Sequence, residues 1–562
     1  MPDILCNGIR VDIGYIHGLG GVHTTFMNTL GVAGIVGASA STESMVNVAM
    51  EKYWRLNNMI NYLKQSINLV PDCQNPTPDY FCTWQVQLYS TSDGKTIAQR
   101  NVMDENHLFG TEAPCGWAYF FEKTRNDLIL LLDSGWDVDV DNVLEMRGSH
   151  ILNKGKFPSF YADNATPAEA LKRLAERIEE IGWKGLGLWV ASEECEKMLG
   201  NGSVEDYWKE RLQMSKQAGI KYWKVDNGKK REDHSFRIWL SHLGKNENCG
   251  FIIENAVVER SVSYSDVYRL YDVHPIAAIP MTLEKVYNLR YAPLPNRNFS
   301  RLVTSDDEIY ISAGLGFAFQ VLRHPFVGDM PNGKKDCAFP EIQRNVKTKL
   351  TEITRVARWH RISPAFAFDP EATTYSEEFL YDEWRFENYE DEIEDWWLKT
   401  PSIRYCLKNN ILRKGAPAAI TREMTPPVVI ADENGMKPFI TASRNPNGTI
   451  SIASLGRTID RTYFTPRCDI TLFGEKTDCF GVFGYFGTLN IKTELLTEGA
   501  VILMQDLADE VSYDITDRVK ISDNTITIPG ELIEVIGTLA QPEGDTSEPG
   551  VVIRIMTADT EK

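Results

Sequence analysis

The sequence lacks the patterns by which cysteine and histidine usually hold metals. No two of its ten cysteines form a CxxC pair, and its nine histidines form no HExxH motif. A GxSxG elbow and a P-loop are absent as well. These absences argue against a zinc knuckle, a redox dithiol and a metallopeptidase, and we expect neither a metal nor an organic cofactor. The scattered cysteines are typical of free thiols in a reducing compartment, with long-range disulfides as the alternative. They are Cys6, Cys73, Cys82, Cys115, Cys195, Cys249, Cys337, Cys406, Cys468 and Cys479.

Long hydrophobic runs are also missing. The N-terminus has neither the basic segment nor the apolar run of a signal peptide, which predicts a cytoplasmic protein unless a leader has been removed. The most apolar early stretch, Phe26 to Ala40, is too short and too polar to span a bilayer. We predict a packed helix or loop there, and no membrane partner.

Positive charge is scarce relative to negative charge. The formal net charge of −19 would repel a phosphate backbone, so a nucleic-acid partner is not expected. A hydrophobic content of 43% and a charged content of 24% are those of a soluble globular protein. At 562 residues the chain exceeds one ordinary core, which predicts two or three domains.

Three regions differ in their patterns. Residues 1–75 carry a helical periodicity from Glu43 to Leu63 and are predicted to form an N-terminal helical extension. Residues 76–414 alternate short apolar runs with amphipathic segments, as βα units around a parallel sheet do, which predicts a (β/α)8 barrel. Residues 415–562 hold short alternating runs and the hairpin signal Asn447-Gly448, which predict an antiparallel β-sandwich.

Acidic residues recur where the predicted barrel strands end. Apolar runs lead into Asp133, Glu193, Asp226 and Glu254 in turn. Each acid alone is more simply a helix cap or a loop residue. Together they point to an active site, because barrel enzymes build their sites from the carboxyl ends of the strands. By contrast, Asp306-Asp307-Glu308 is interpreted as the first turn of an apolar helix, Ile309 to Leu322, whose dipole the acids complement, with sugar binding as the alternative.

The fourth strand places a cation beside a carboxylate. Alternation along Tyr222 to Asp226 points Lys224 and Asp226 to the same face, into the barrel. Hydrolysis of a glycosidic bond with retention needs two carboxyl groups about 5 to 5.5 Å apart, one ionised and one protonated. A nearby cation keeps the first of them ionised. A buried salt bridge between Lys224 and Asp226 is the structural alternative.

The segment Gly219 to Asp226 resembles the strand-four motif of the clan D glycosidases, the α-galactosidases and α-N-acetylgalactosaminidases of glycoside hydrolase families 27 and 36. Further segments resemble the same families in the same order over about 250 residues. They are Phe81 to Trp84, Leu132 to Trp136, Lys156 to Pro158, Gly187 to Trp189 and Arg323 to Asp329.

The resemblance implies a role for individual residues. Asp226 matches the nucleophile of the family's Lys-x-Asp strand, and Asp272, three residues after Arg269, is our choice for the acid/base, with Asp266 second. The family places the acid four residues after the Arg, so the choice assumes a one-residue shift. The residues expected to hold the sugar are Asp133, Trp136, Trp189, Lys224, Glu254 and Arg269.

One departure concerns specificity. Galactose-specific members have two adjacent acids on the second strand, whereas Asp133 is followed here by Ser134. Losing a carboxylate that accepts hydroxyl hydrogen bonds changes which epimer fits.

The resemblance therefore implies an exo-acting retaining α-glycosidase that acts on an oligosaccharide or glycoconjugate through a glycosyl-enzyme. A non-catalytic carbohydrate-binding relative and a transglycosylase on the same barrel are the alternatives. A metal-dependent barrel hydrolase is disfavoured by the lack of clustered histidines. Whether the chain forms a homo-oligomer is left open.

Overall fold

The structure is a computed structural model. It describes four strands within residues 4–36, and then residues 63–557 apart from several segments. The segments left out are 92–95, 141–144, 271–277, 294–295, 307, 327–347, 386–410, 461 and 498.

The N-terminal strands form an antiparallel meander of four strands. They are β1 Ile4–Cys6, β2 Ile9–Tyr15, β3 Val22–Met27 and β4 Ala33–Val36. The sequence had predicted a helix or loop from Phe26 to Ala40, so β4 is a correction. Its β-branched Ile and Val favour a strand over the loop that the glycines suggested. The helix predicted for Glu43 to Leu63 lies outside the described residues, except for its last position.

Eight parallel strands form the predicted closed barrel. The pairs Gln320–Tyr80 and Val321–Phe81 join the last strand to the first. The strands are β6 Tyr80–Cys82, β7 Ile129–Leu132, β8 Gly185–Val190, β9 Tyr222–Val225, β10 Ile252–Ala256, β11 Val267–Leu270, β12 Leu302–Asp306 and β13 Ala318–Val321. Nearly every position in them is buried, as expected of strands that are covered on both faces.

Helices cover the outside of the barrel. Their boundaries follow the local capping signals: Thr166 and Glu169 form a capping box before the helix Pro167–Ile181, and Gly182 ends that helix in a left-handed conformation. The helices are α1 Trp84–Ser90, α2 Thr96–Asn101, α3 Glu105–Phe109, α4 Pro167–Ile181, α5 Glu196–Leu199, α6 Val204–Gln217, α7 His234–Asn246, α8 Ala278–Asn288, α9 Ile309–Leu315 and α10 Thr351–Ile362. Within the part of the chain that the structure describes, no helix has the length and apolarity needed to cross a membrane.

The helix predicted from Ile309 to Leu322 is shorter in the structure, which corrects the prediction. It ends at Leu315, Gly316 adopts a left-handed conformation, and β13 begins at Ala318. An unbroken apolar run does not distinguish a buried helix from a buried strand, whereas the two glycines, Gly314 and Gly316, mark the break.

Two sheets form the predicted C-terminal sandwich, with nine and five strands, and their facing side chains share one apolar cluster. The nine-stranded sheet consists of β5 Lys64–Ser66, β14 Thr373–Tyr375, β17 Ala419–Arg422, β19 Phe439–Arg444, β20 Ile450–Leu455, β24 Cys479–Gly484, β26 Val501–Asp506, β27 Ser512–Asp514 and β30 Gly550–Met556. The five-stranded sheet consists of β18 Val428–Ile430, β23 Asp469–Glu475, β25 Thr488–Thr493, β28 Lys520–Ser522 and β29 Thr525–Pro529. Two separate two-stranded sheets pair β15 Phe379–Arg385 with β16 Ile411–Pro417 and β21 Arg457–Ile459 with β22 Thr462–Phe464, and the helix α11 spans Gly530–Ile536. Most strand pairs are antiparallel, but β17–β19, β20–β24 and β23–β25 are parallel.

The nine-stranded sheet recruits chain from outside the predicted region 415–562. A short strand before the barrel, β5 Lys64–Ser66, pairs with β27 at one edge, and β14 pairs with β17 at the other. Parts of the regions 1–75 and 76–414 therefore belong to the sandwich. These strands are three residues long, too short to give a periodic signal in the sequence.

Candidate functional site

The barrel interior is apolar toward one end and charged toward the other. Apolar side chains such as Ile129 and Val267 pack inside the barrel, and the charged ones lie at the carboxyl ends of the strands. The strand register explains why the charged groups meet: Lys224 lies level with Trp189 on one side and with Glu254 on the other. Asp226 follows two residues after Lys224 and therefore lies one level nearer the mouth.

Lys224 pairs with Asp133 instead of Asp226. Its Nζ lies 2.8 Å from Asp133 Oδ2, and both side chains are buried. The Cys82 thiol donates to the same oxygen at 3.1 Å. Burial and Arg269 lower the pKa of Lys224, but the attraction of the carboxylates Asp133 and Asp226 outweighs them and holds that pKa above its usual value. The salt bridge that the sequence allowed for Lys224 exists, but with a different acid.

Asp226 receives its hydrogen bonds from two other strands. Trp189 Nε1 and Arg269 Nη1 each donate to Asp226 Oδ2 at 3.3 Å. Burial raises the pKa of the Asp226 carboxyl, but Arg269 and Lys224 lower it by more, so that the pKa lies below its usual value. The side chain nevertheless remains 13% exposed. Asp226 is thus an ionised carboxylate at the barrel mouth that a ligand can reach.

Arg269 joins Asp226 to a carboxylate that the sequence analysis assigned elsewhere. Its Nη2 donates to Asp306 Oδ2 at 3.3 Å, while its Nη1 contacts Asp226. Asp306 is the last residue of β12 and only 1% exposed. The interpretation of Asp306 as a helix-opening acid is therefore wrong, although α9 does begin directly after Glu308.

Glu254 lies deeper in the barrel than Asp226. The Tyr80 and Tyr222 hydroxyls contact its Oε2 at 2.9 and 2.8 Å, and Tyr80 also contacts the Gln320 side chain. Burial raises the pKa of Glu254, and Arg269 and Lys224 offset this only in part. Glu254 and the two phenols form the floor beneath the charged side chains at the barrel mouth.

Trp136 does not face the mouth, which corrects its assignment as a sugar-binding residue. It is 0% exposed, packs in the core between the barrel and its helices, and donates from Nε1 to the Trp189 carbonyl at 2.8 Å. Trp136 therefore positions Trp189, whose own indole contacts Asp226. Trp136 directly follows Gly135 beyond the end of the strand, so alternation along the strand could not predict the direction of its side chain.

The structure describes only one of the two acids proposed for proton transfer. Asp272 lies outside the described residues. Asp266 precedes β11, at the opposite end of that strand from the mouth, and is held by Lys245 Nζ at 2.7 Å. Asp266 is therefore excluded as the acid/base.

Several site residues were missed by the sequence analysis, namely Tyr80, Cys82, Tyr222, Asp306 and Gln320. Strand alternation would have found Tyr222, because it shares the face of Lys224 and Asp226. The strand that holds Tyr80 and Cys82 is only three residues long. Among the residues that the structure describes, no group of three or more His, Cys, Asp and Glu side chains is arranged to hold a metal.

Comparisons with known proteins give only distant likenesses. No family model matches the sequence, and no curated protein matches it. A Bacteroides fragilis structure assigned as an α-galactosidase is 10% identical, with 98% of this chain and 86% of that chain covered and a TM-score of 0.36. A family 27 β-L-arabinopyranosidase from Geobacillus stearothermophilus is 9% identical, with 86% and 98% covered and a TM-score of 0.38. A second B. fragilis structure, assigned as an α-galactosidase/melibiase, is 10% identical, with 95% and 85% covered and a TM-score of 0.35. Likenesses at this level do not establish a function for this chain.

Proposed function

We propose that the barrel mouth hydrolyses a terminal α-glycoside with retention of configuration, with Asp226 as the nucleophile. The observation that carries the proposal is the state of Asp226: a partly exposed carboxylate at the carboxyl end of β9 whose pKa is held low by Arg269 and Lys224. A nucleophilic carboxylate must be ionised and accessible, and Asp226 is both.

The reaction needs a second carboxyl group that carries a proton. Asp306 is unsuited to this role, because it is buried and paired with Arg269. We therefore retain Asp272, two residues after the end of β11, as the acid/base. In the first step Asp226 attacks the anomeric carbon while Asp272 protonates the departing oxygen. In the second step Asp272 takes a proton from water, and that water releases the sugar from Asp226.

The remaining charged residues hold the sugar in this proposal. Asp133 and Lys224 present a fixed ion pair to its hydroxyl groups, and the Trp189 indole lies beside Asp226. Glu254, held by Tyr80 and Tyr222 below Asp226, would set the depth of the pocket. The motif resemblance in the sequence makes an α-galactoside the first substrate to assay, and Ser134 is the reason to test other epimers beside it.

The test is a panel of 4-nitrophenyl α-glycosides, with the configuration of the released sugar followed by NMR. We expect turnover with retention, and a loss of kcat of about 10^3-fold or more in Asp226→Asn, because the amide cannot form the glycosyl-enzyme. Asp163→Asn is the matched control, since its side chain is 89% exposed and lies on the outer surface. Release of the inverted sugar would contradict the double displacement.

Azide separates the nucleophile from the acid/base. In Asp226→Ala, azide should replace the carboxylate and give the β-glycosyl azide. In Asp272→Ala, it should intercept the glycosyl-enzyme and give the α-glycosyl azide. An Asp226→Asn protein that keeps its sugar affinity while the wild type shows no turnover would identify a carbohydrate-binding relative instead. Transfer to an added alcohol in preference to water would identify a transglycosylase.

A further inference from the structure

Arg100 is a buried cation that forms no ion pair with any described carboxylate. It lies on α2, is 8% exposed, and donates from Nε to the Ser134 hydroxyl at 2.9 Å. Its two terminal nitrogens have no hydrogen-bond partner among the described residues, and no described carboxylate lies within 4.0 Å of them. Burial of an unpaired charge costs free energy. A ligand of opposite charge that binds next to such a group lowers this cost.

Hydrogen bonds fix the position of the backbone around Arg100. Its carbonyl and that of Gly135 both accept from Lys156 Nζ at 2.8 Å. On the other side, Gln87 Nε2 donates to the Ser134 carbonyl at 3.0 Å. These bonds fix α2 against the loop after β7. Ser134 directly follows Asp133, so the guanidinium lies next to the ion pair of Asp133 and Lys224 at the mouth.

The charged groups around Arg100 are already engaged with other partners. Burial lowers the pKa of Arg100, the neighbouring cation Arg147 lowers it further, and Asp137, Asp133 and Glu193 act in the opposite direction. Asp133 is paired with Lys224, Glu193 with Arg147 at 2.9 Å, and Asp137 accepts the His150 N–H at 3.1 Å. None of these acids forms an ion pair with Arg100, so an anion bound between Arg100 and Arg147 would be attracted by both cations.

We propose that Arg100, Ser134 and Arg147 form a subsite for an anionic substituent of the terminal sugar, a carboxylate or a sulfate ester. The planar guanidinium offers paired N–H donors that match the geometry of such groups. The Ser134 oxygen accepts from Arg100, which leaves its proton for the same anion. This inference rests on the proposed glycosidase function and names the class of its substrate.

The test compares matched pairs of substrates. Each pair is a 4-nitrophenyl α-glycoside and its uronide, with the galactoside and galacturonide first and the glucoside and glucuronide second. A 6-sulfated member of each pair separates sulfate from carboxylate. For the wild type we expect the higher kcat/KM on an anionic member, falling as salt is added. Arg100→Met should lower kcat/KM on that member by about 10- to 100-fold and on the neutral member by less than about threefold.

Two further variants keep the test decisive. Arg147→Gln changes a more exposed residue and should reduce the same preference, even if Arg100→Met fails to fold. Arg467→Met, on the surface of the sandwich, is the matched control and should leave the preference intact. A wild-type preference for the neutral members overturns the subsite. An equal loss on both members in folded Arg100→Met also overturns it, because a structural role predicts that result.

Calorimetric binding of galacturonate and galactose separates this inference from the proposed function. Tighter binding of galacturonate that Arg100→Met abolishes, without any turnover, would support the subsite and contradict the glycosidase. Turnover of neutral sugars without any effect of Arg100 would do the reverse. Absence of both turnover and anion-dependent binding would overturn both proposals.

Discussion

At the scale of single residues, Arg269 determines the charge state of the site. Its guanidinium contacts Asp226 and Asp306 from two nitrogens, so that one cation serves two carboxylates. Burial lowers the pKa of Arg269, but both acids raise it to well above the usual value, so the cation persists throughout the working pH range. Lys224 acts on Asp226 more weakly because it is paired with Asp133.

Arg269→Gln should therefore shift the pH dependence of the reaction. Asp226 must be ionised to attack, so activity is lost as the pH falls through its pKa. Removing Arg269 removes the largest charge that lowers this pKa, and the acid limb of kcat/KM should move to higher pH by about 1 to 2 units. The measurement is kcat/KM from pH 3 to pH 8 for the variant and the wild type.

The matched control for this shift is Lys209→Gln, a cation on the outer face of α6 that pairs with Glu205. It should leave the acid limb in place. An Arg269→Gln variant with the wild-type acid limb would show that Asp226 does not titrate in that limb. The proposed role of Asp226 would then fail together with the prediction.

The same residues show what the sequence can predict at this scale. Asp226 and Asp133 were identifiable because each ends an apolar run. Asp306 was not, because it ends the strand Leu302–Asp306, whose Thr-Ser-Asp sequence resembles the start of a helix. The partner of Lys224 was not predictable either, since it is chosen by the neighbouring strands and not by spacing along one strand.

At the scale of elements, the structure holds Asp226 through a helix as well as a strand. Arg237 of α7 is buried and donates from Nη1 to the Val225 carbonyl at 3.0 Å and from Nη2 to the Asp226 carbonyl at 3.1 Å. It also bonds the carbonyl and the side chain of Asn255 on β10. One side chain thus fixes the carboxyl ends of β9 and β10 relative to each other.

Arg237→Lys should loosen this arrangement while it keeps the charge. A lysine cannot reproduce the forked bonds to both strands, and buried carbonyls would be left unsatisfied. We expect the free energy of unfolding to fall by about 2 to 4 kcal/mol and kcat to fall with little change in KM. Urea unfolding and steady-state kinetics measure the two effects. Lys172→Gln, which changes an exposed cation on α4 that pairs with an exposed glutamate, provides the comparison. Unchanged stability in Arg237→Lys would contradict the proposed support.

The predictable elements were those with long, uniform patterns. The barrel strands from β7 to β10 and the helices α4, α6 and α7 follow the sequence prediction, because each combines a continuous apolar run or stripe with a cap or a glycine at its end. The three-residue strands β5 and β14 were missed, since their pairing depends on distant chain segments.

At the scale of the whole molecule, the barrel and the sandwich share a buried ion pair. Arg355 of α10 donates from Nε and Nη2 to the two oxygens of Asp506 on β26 at 2.9 and 3.0 Å, and both side chains are 0% exposed. Arg355 also donates to the Glu548 carbonyl at 2.8 Å. No sequence pattern predicted this contact, because the two residues are 151 positions apart.

Asp506→Asn should weaken the coupling between the two domains. The amide leaves the Arg355 charge buried without its counterion, and breaking such a pair costs about 3 to 5 kcal/mol. Because the loss falls on contacts between the domains, we expect the sandwich to unfold before the barrel, so that calorimetry of the variant resolves two transitions. Asp478→Asn is the control: Asp478 pairs with Arg554 at 3.6 Å on the surface, where an ion pair contributes at most about 1 kcal/mol. If Asp506→Asn and Asp478→Asn both unfold in one transition at the wild-type midpoint, the buried pair does not couple the domains. Other contacts, such as those of α9 with the nine-stranded sheet and of Tyr310 with the Glu548 carbonyl, must then couple them.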